Sequence, residues 1–296
     1  MKSLDEAEFT IVGTGLMGAS LALALRGKVK VLRGVDRDPT SRRIATPFFD
    51  QISAYLTEGI VNADVIVLAT PIKTILHLLD SLSTLSKPGT LIIDLGSSKQ
   101  KIVAAMDALP EHLLAIGGHP MCGKETSGPG AAEGTLFQNS PFVLCRTQRT
   151  TDAAFDIAVA MVSAIGTRCI ELAAEQHDRA VATISHLPYL LSAGLVATTI
   201  DVSQHDKTPW KLASSGFRDT SRLAGSDITM MGDTLLTNRD AVLDAVTRFR
   251  SQLDKLENAL QSSDETALRA ILETTREARA TWWEKWETPP ERSSGD

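Results

Sequence analysis

The glycine spacing within residues 9–20, FTIVGTGLMGAS, constrains this chain more than any other feature. Gly13, Gly15 and Gly18 follow G-x-G-x-x-G, directly after a short apolar run and directly before a helix-forming one. In a strand–turn–helix unit the first glycine permits a tight turn and the second lets a pyrophosphate approach the backbone. The third lets the helix pack closely on its strand. The free N–H groups and positive end of that helix, which opens on Leu16 and Met17, then face the phosphates. The discriminating feature is an acid closing the next strand, about 20 residues on. Asp36, at the end of VLRGVD, stands there. A carboxylate at that place accepts from the ribose hydroxyls and repels a 2′-phosphate, so NAD is the expected cofactor. Arg37 beside it weakens the preference and keeps NADP open as the alternative.

The first half continues in the same manner. Strands are expected at 9–12, 29–36, 64–70, 90–95, 113–117, 141–145 and 168–172, with helices between them at, for example, 72–85 and 151–165. VIVLAT and LIIDLG barely alternate, as strands covered on both faces should read. This repetition implies right-handed crossovers and an α/β fold of the Rossmann type, a doubly wound, mostly parallel sheet. After about residue 174 no strand run is convincing and the chain reads as helical. Val242, Val246, Phe249, Leu253, Leu256 and Leu260 are spaced by fours and threes along one helix face, which is core by default and in part a candidate dimer seam. Ser262 and Glu265 form a capping signal for a last helix that reaches Trp286, with Trp282, Trp283 and Trp286 expected to pack. The expected organisation is a dinucleotide-binding domain over 1–173, an all-α substrate and dimerisation domain over 174–287, and a disordered tail over 288–296.

Composition removes other classes. A net charge of −6 over 296 residues offers no basic surplus for nucleic acid. No uninterrupted apolar run approaches the ~20 residues of a membrane span, so no membrane association is expected. The acidic opening MKSLDEAEF lacks the apolar stretch of a signal peptide. Cys122, Cys145 and Cys169 are odd in number and widely spaced, which suits neither a disulfide framework nor a zinc site. A reducing cytoplasm is expected. Cys122 follows His119 by three residues, but no second ligand pair accompanies it; a small buried thiol is the expectation, and no metal.

Ligands of doubly wound sheets lie beyond the carboxyl ends of the strands. Three segments fall there: ATP (69–71), carrying Thr70 and Pro71 to the cofactor, DLGSSK (94–99) and GGHPMCGKETSG (117–128). His119, held in a rigid loop by neighbouring glycines and Pro120, is the side chain suited to take a proton from an alcohol near neutral pH. The Ser97 hydroxyl can orient the same alcohol or the imidazole. Taken alone, a histidine such as His119 is more often just a hydrogen-bonded loop histidine.

Together, GTGLMGAS, DLGSSK, GGHPMCGKETSG, EQHDRAVATISHLPY and SSGFRDTSRLAGSD resemble, in order, the prephenate/arogenate dehydrogenase family of tyrosine biosynthesis. The resemblance implies NAD-dependent oxidative decarboxylation of prephenate to 4-hydroxyphenylpyruvate, on a Rossmann domain followed by a helical, dimerising one. It makes His119 the base on the ring hydroxyl and gives Ser97 contact with that hydroxyl and the nicotinamide region. Arg222 becomes the partner of the ring carboxylate. His177 and His186 face the site from the helical part, and Glu125 stands at its entrance. Arg218 is either a second anion contact or a helix-surface salt bridge. One position departs: the family often has a second histidine three residues after that of SHLP, and this chain has Tyr189. That residue lies where the substrate side chain is read, so arogenate (cyclohexadienyl) and 4-amino-4-deoxyprephenate stay open as substrates. A β-hydroxyacid dehydrogenase would need an SGG loop, which this sequence does not show where it has GGHPMCGKE, and a non-catalytic NAD sensor would have no need of both His119 and Arg222. The residues after Trp286 are too few for the ACT domain of some members, so feedback by tyrosine is expected to be competitive with substrate.

Overall fold

The computed structural model describes residues 2–124 and 126–287, with 285–287 as backbone. Glu125 and the expected tail 288–296 lie outside the described residues, as does the side chain of Trp286. The elements run β1 (Glu8–Val12), α1 (Leu16–Leu25), β2 (Val31–Val35), α2 (Pro39–Ala45), β3 (Gln51–Ser53), α3 (Leu56–Gly59), β4 (Val65–Leu68), α4 (Ile72–Leu85), β5 (Leu91–Asp94), α5 (Gln100–Asp107), β6 (Leu114–Pro120), β7 (Pro141–Arg146), α6 (Asp152–Ala164) and β8 (Arg168–Glu171). Helices α7 (Ala174–Val181), α8 (Leu187–Val202), α9 (Thr208–Leu212), α10 (Ser215–Ser221), α11 (Ile228–Thr237), α12 (Arg239–Gln261) and α13 (Glu265–Glu287) follow.

The strands form one sheet in the order β3-β2-β1-β4-β5-β6-β7-β8. Every pairing is parallel except β6 with β7. The order reverses at β1, between β2 and β4, which opens the crevice where doubly wound sheets bind their ligands. Both faces are buried. Val65 and Val67 join Phe9, Ile11, Leu21 and Met161 on one side, while Ile66 and Leu68 join Ile75, Leu79, Ile102 and Met106 on the other. Because side chains alternate across a strand, two buried faces require an uninterrupted apolar run, and VIVL supplies it. All seven expected strands form. The eighth, β3, is a three-residue edge strand too short and too polar to show in the pattern.

By internal contacts the chain divides into two compact units, Met1–Val242 and Leu243–Asp296. The sheet ends before Ala174 as anticipated, yet α7–α11 belong to the same unit as the sheet, because hydrogen bonds from Asp178, Thr234 and Thr237 tie them to its carboxyl edge. Within the first unit Ala174–Val202 is one continuous helix, in which Ala182–His186 is a π turn. Pro188 lacks an N–H and its ring would strike the carbonyl four residues back, and a wider turn relieves that conflict. This 29-residue helix is long and apolar enough to cross a bilayer by length and composition. That corrects the expectation of no such segment, since Thr183, Ser185, His186 and Ser192 break the apolar run without lowering its average much. His177, Asp178 and His186 on this helix are buried and bonded inside the unit, whereas Ile184, Ile200 and Val202 are more than half exposed.

The second unit differs from its expected reading in two respects. Along the 242–260 face Leu253 and Leu260 are 48% and 64% exposed, so that stripe is not all core of a single chain. The cap of α13 is Asp264, whose carboxylate accepts from Ala267 N–H at 2.9 Å, while the Ser262 hydroxyl donates back to Asn258 O at 2.7 Å. Trp282 and Trp283 lie under the Arg279 guanidinium, 4.9 and 4.5 Å from their ring centroids.

Candidate active site

The glycine loop joins β1 to α1 as its spacing requires. Gly13 has φ +96°, and a Cβ there would stand 2.6 Å from Ala69 O; a Cβ on Gly18 would stand 1.9 Å from Gly13 O. Gly15, which caps α1, faces open space. Asp36 braces the loop: its Oδ2 accepts from Thr14 N–H at 2.8 Å and from the Thr14 hydroxyl at 3.0 Å. Its Oδ1 accepts only from Asp38 N–H among the described residues and retains capacity for a ribose hydroxyl. Leu16 and Met17 are half-buried in the first turn of α1, Arg37 is exposed, and Pro71 caps α4. Beside Gly13, the Thr70 hydroxyl is buried without a partner among the described residues. An open approach at Gly15, an acid with a spare lone pair and an orphaned hydroxyl fit a dinucleotide.

His119 lies at the carboxyl edge of the same sheet. It is not in a loop as expected: β6 continues through Pro120, and His119 pairs with Val143 of antiparallel β7. Its neighbours fix it from two sides. Nδ1 stands 2.8 Å from His177 Nε2, with the rings edge-on at 5.0 Å between centroids. Behind it, the fully buried Lys99 ammonium donates to Gly118 O at 2.6 Å and to Asp94 Oδ2. Asp94 also accepts from Gly96 N–H at 2.7 Å and Gly118 N–H at 3.1 Å. Burial first, then His177, Lys99 and His186, push His119 well below the ordinary histidine value. It is therefore neutral and able to accept a proton at pH 7.

His177, expected to face the substrate, has both ring nitrogens engaged by protein: Nε2 by His119 and Nδ1 by Asp178 Oδ1 at 2.8 Å. His186 is also buried, and its Nδ1 accepts from Asn238 Nδ2 at 3.2 Å, which leaves the proton on Nε2. That Nε2 has no partner among the described residues, and burial pushes His186 down to about 4. The two serines of DLGSSK meet α11: Ser97 Oγ lies 2.6 Å from Thr234 Oγ1 and Ser98 Oγ lies 2.8 Å from Thr237 Oγ1.

Tyr189 sits in the first turn of α8, half-buried. Arg222 opens the 3-10 turn Arg222–Gly225, which packs on α8 through a 2.9 Å bond from Ala224 N–H to Ser192 Oγ. Arg218 is paired with its neighbour Asp219 at 2.9 Å on the surface, which is the salt-bridge reading of that residue. The Cys122 thiol, half-buried where a buried one was expected, is pushed up to about 11 by burial and packs against the core. Sequence reasoning missed Asp94, Asp178, Thr234, Thr237 and Asn238, and it put Lys99 of DLGSSK at the cleft rim, where the structure has it fully buried. Only the adjacent His177-Asp178 pair carried a signal, a carboxylate beside an imidazole on a helix.

Against this geometry the comparisons with known proteins are specific. The family described as "Prephenate dehydrogenase, nucleotide-binding domain" matches residues 20–171, and "Prephenate dehydrogenase, dimerization domain" matches residues 173–274. Prephenate dehydrogenase of Bacillus subtilis (strain 168) is 30% identical over 275 residues, covering 91% of this chain and 74% of that protein. The crystal structure of prephenate dehydrogenase from A. aeolicus in complex with hydroxyphenyl propionate and NAD+ superposes with a TM-score of 0.86 at 27% identity, covering 95% of this chain and 99% of that one. Synechocystis arogenate dehydrogenase gives 0.80 at 32%, covering 93% and 99%. Sheet order, glycine loop, strand-end histidine and both halves of the chain agree: it belongs to the prephenate dehydrogenase family.

Proposed function

We propose that this chain catalyses NAD-dependent oxidative decarboxylation of prephenate to 4-hydroxyphenylpyruvate. The observation that carries the reading is a neutral, half-buried histidine at the carboxyl edge of a sheet whose switch point fits a dinucleotide. Prephenate is a cyclohexadienol with two carboxylates. NAD, when bound, accepts the hydride from the carbinol carbon. As that hydride leaves, the O–H bond breaks and its proton passes to His119. The bond to the ring carboxylate breaks with its electron pair entering the ring, CO2 departs, and His119 returns the proton to the phenolate oxygen. Aromatisation drives the sequence, and the protein's part is orientation and proton transfer.

Arg222 is assigned to the ring carboxylate, where a guanidinium can bind both oxygens. Ser97 is assigned to the hydroxyl and His186 Nε2–H to a substrate oxygen, the acceptor its burial calls for. Glu125 keeps its assignment at the entrance. Residues 1–173 serve the nucleotide and 174–287 the substrate and dimerisation. Ile184, Ile200 and Val202 are more than half exposed on the long apolar helix, which supports a homodimer with that face covered by a second copy. The three cysteines are free thiols, which suits the cytoplasm. Tyr189 stands where the family often has a histidine and the substrate side chain is read, and the second reading has arogenate as the substrate. The test is reduction of NAD or NADP, followed by absorbance, with prephenate or arogenate supplied separately. Fast reduction of NAD with prephenate is the expected result; reduction with arogenate alone establishes the second reading, and reduction with neither overturns both.

A further inference from the structure

The group behind His119 is arranged as a chain with one direction. Asp178, on α7, accepts Lys99 N–H at 2.6 Å and Gln100 N–H at 2.9 Å, the first free donors at the start of α5. It therefore acts as an acceptor, and the 2.8 Å contact from His177 Nδ1 has its proton on the histidine. A neutral imidazole protonated on Nδ1 has its lone pair on Nε2. His177 Nε2 must accept, so His119 Nδ1 donates across the 2.8 Å between them. The lone pair of neutral His119 is thereby confined to Nε2.

We propose that His177 and Asp178 are positioning residues which hold His119 in its Nδ1-protonated tautomer, present Nε2 to the substrate hydroxyl, and share the charge when the proton arrives. The proposal rests on the assignment of His119 as base. When the substrate O–H bond breaks and an N–H bond forms at His119 Nε2, both ring nitrogens carry protons. The Nδ1–H then points at His177 Nε2, whose own Nδ1–H points at the Asp178 carboxylate. No atom beyond the transferred proton needs to move. The other charged or titratable groups around His119 do not replace this role. His186 is turned to Asn238, while Lys99 and Asp94 neutralise each other. The relay also spans two parts of the first unit: Asp178 belongs to α7, its donors to α5, and Asn238, just after α11, donates to Asp178 O at 2.8 Å.

Three substitutions separate positioning from packing. Asp178→Asn offers an amide N–H to His177 Nδ1, which reverses the tautomer of both rings and leaves a proton on His119 Nε2. A carboxylate-to-amide change of this type lowers kcat by about 10^4-fold in a serine protease triad, and a fall of roughly 10^3-fold or more is expected here. His177→Phe leaves Asp178 bonded to α5 and removes only the relay, and kcat should fall about 10–100-fold with KM within a few-fold of the parent. Asp178→Glu should recover part of the loss. The independent readout is the 15N spectrum of labelled protein, with the His119 signals assigned from a His119→Asn variant. The parent should show Nδ1 protonated and Nε2 bare, reversed in Asp178→Asn. A His119 protonated on Nε2 in the parent, or a His177→Phe enzyme with parental kcat, overturns the proposal. Absence of turnover by the parent on any cyclohexadienol would refute the functional reading instead, and the spectrum would still decide the tautomer.

Discussion

Replacing Lys99 by methionine removes one charge from a site with no exposure to solvent. Lys99 and Asp94 are both 0% exposed. In the parent the ammonium satisfies Asp94 Oδ2 and Gly118 O, while Asp94 takes two further N–H bonds. Methionine fills nearly the same volume, so little of the loss comes from a cavity. What remains is an ionised carboxylate held by two backbone donors and a Gly118 carbonyl without its donor. Breaking a buried pair from one side costs about 3–5 kcal/mol. For a protein of this size that corresponds to a melting temperature lower by roughly 10 °C, at about 2–4 °C per kcal/mol. Removing the second charge as well, in Lys99→Met with Asp94→Asn, should be milder than the sum of the single changes by about 2 kcal/mol, since neither group is then left alone. The assay is urea unfolding of all four proteins at pH 7, comparing midpoints at unchanged slope. A second readout comes from catalysis: with the cation gone His119 is less depressed, so the acid limb of kcat/KM should move up in pH. A single Lys99→Met within about 1 kcal/mol of the parent, or strict additivity in the double variant, would refute the idea that this pair is tightly coupled.

His186 makes stability depend on acid. Its folded value of about 4 lies below the unfolded 6.5, so the unfolded chain binds the extra proton first; stability is full above pH 6.5 and falls by about 3 kcal/mol as pH drops towards 4, a loss that His186→Gln should largely abolish in acid titrations of unfolding. Gly15→Ala should fold normally, because nothing lies within 4 Å of the added carbon, yet raise KM for NAD at least tenfold; Gly18→Ala, meeting Gly13 O at 1.9 Å, should lower the melting temperature as well. His119→Asn should reduce kcat by about 10^2–10^4-fold with KM little changed, whereas Arg222→Ala should act mainly on KM, as steady-state kinetics will separate.

The sheet was largely legible because it is made of local signals. VIVL and LIID announce strands buried on both faces, while Gly13, Gly15 and Gly18, with Asp36 closing the next strand, announce the turn from β1 into α1. Short edge strand β3 carries no such signal, and neither does the antiparallel return of β7 that draws His119 into the ladder. The site was legible as a set of residues but not as an arrangement. His119 and His177 are 58 residues apart, Ser97 and Thr234 are 137, and no periodicity connects them. Lys99 shows the difficulty most sharply. In DLGSSK, beyond a strand's carboxyl end, Lys99 reads as a residue of the cleft rim, and only the fold reveals that it closes on Asp94 and Gly118 in the interior. The π turn had a visible cause in Pro188, but its consequence, the placing of His186, depends on Asn238, which comes from the far end of α11.

The pattern of satisfied and unsatisfied polar atoms points to where ligands belong. Burying a donor or acceptor without a partner costs about 1–3 kcal/mol, so such atoms are rare where nothing binds. Between the sheet edge and α7–α11, Asp94, Lys99, Asp178, His177 and Asn238 each have their partners. The exceptions among the described residues at this edge are Thr70 Oγ1, beside the glycine loop, and His186 Nε2, beside the histidine relay. One adjoins the place that fits a dinucleotide and the other the residues assigned to the substrate. A network that completes its internal bonds and leaves vacant groups on those two sides is rigid where His119 must be oriented and open where ligands complete it. Thr70→Val should therefore leave stability unchanged or raise it while weakening NAD binding. A stability loss above about 1 kcal/mol in that variant would show that the hydroxyl serves the fold and not the cofactor.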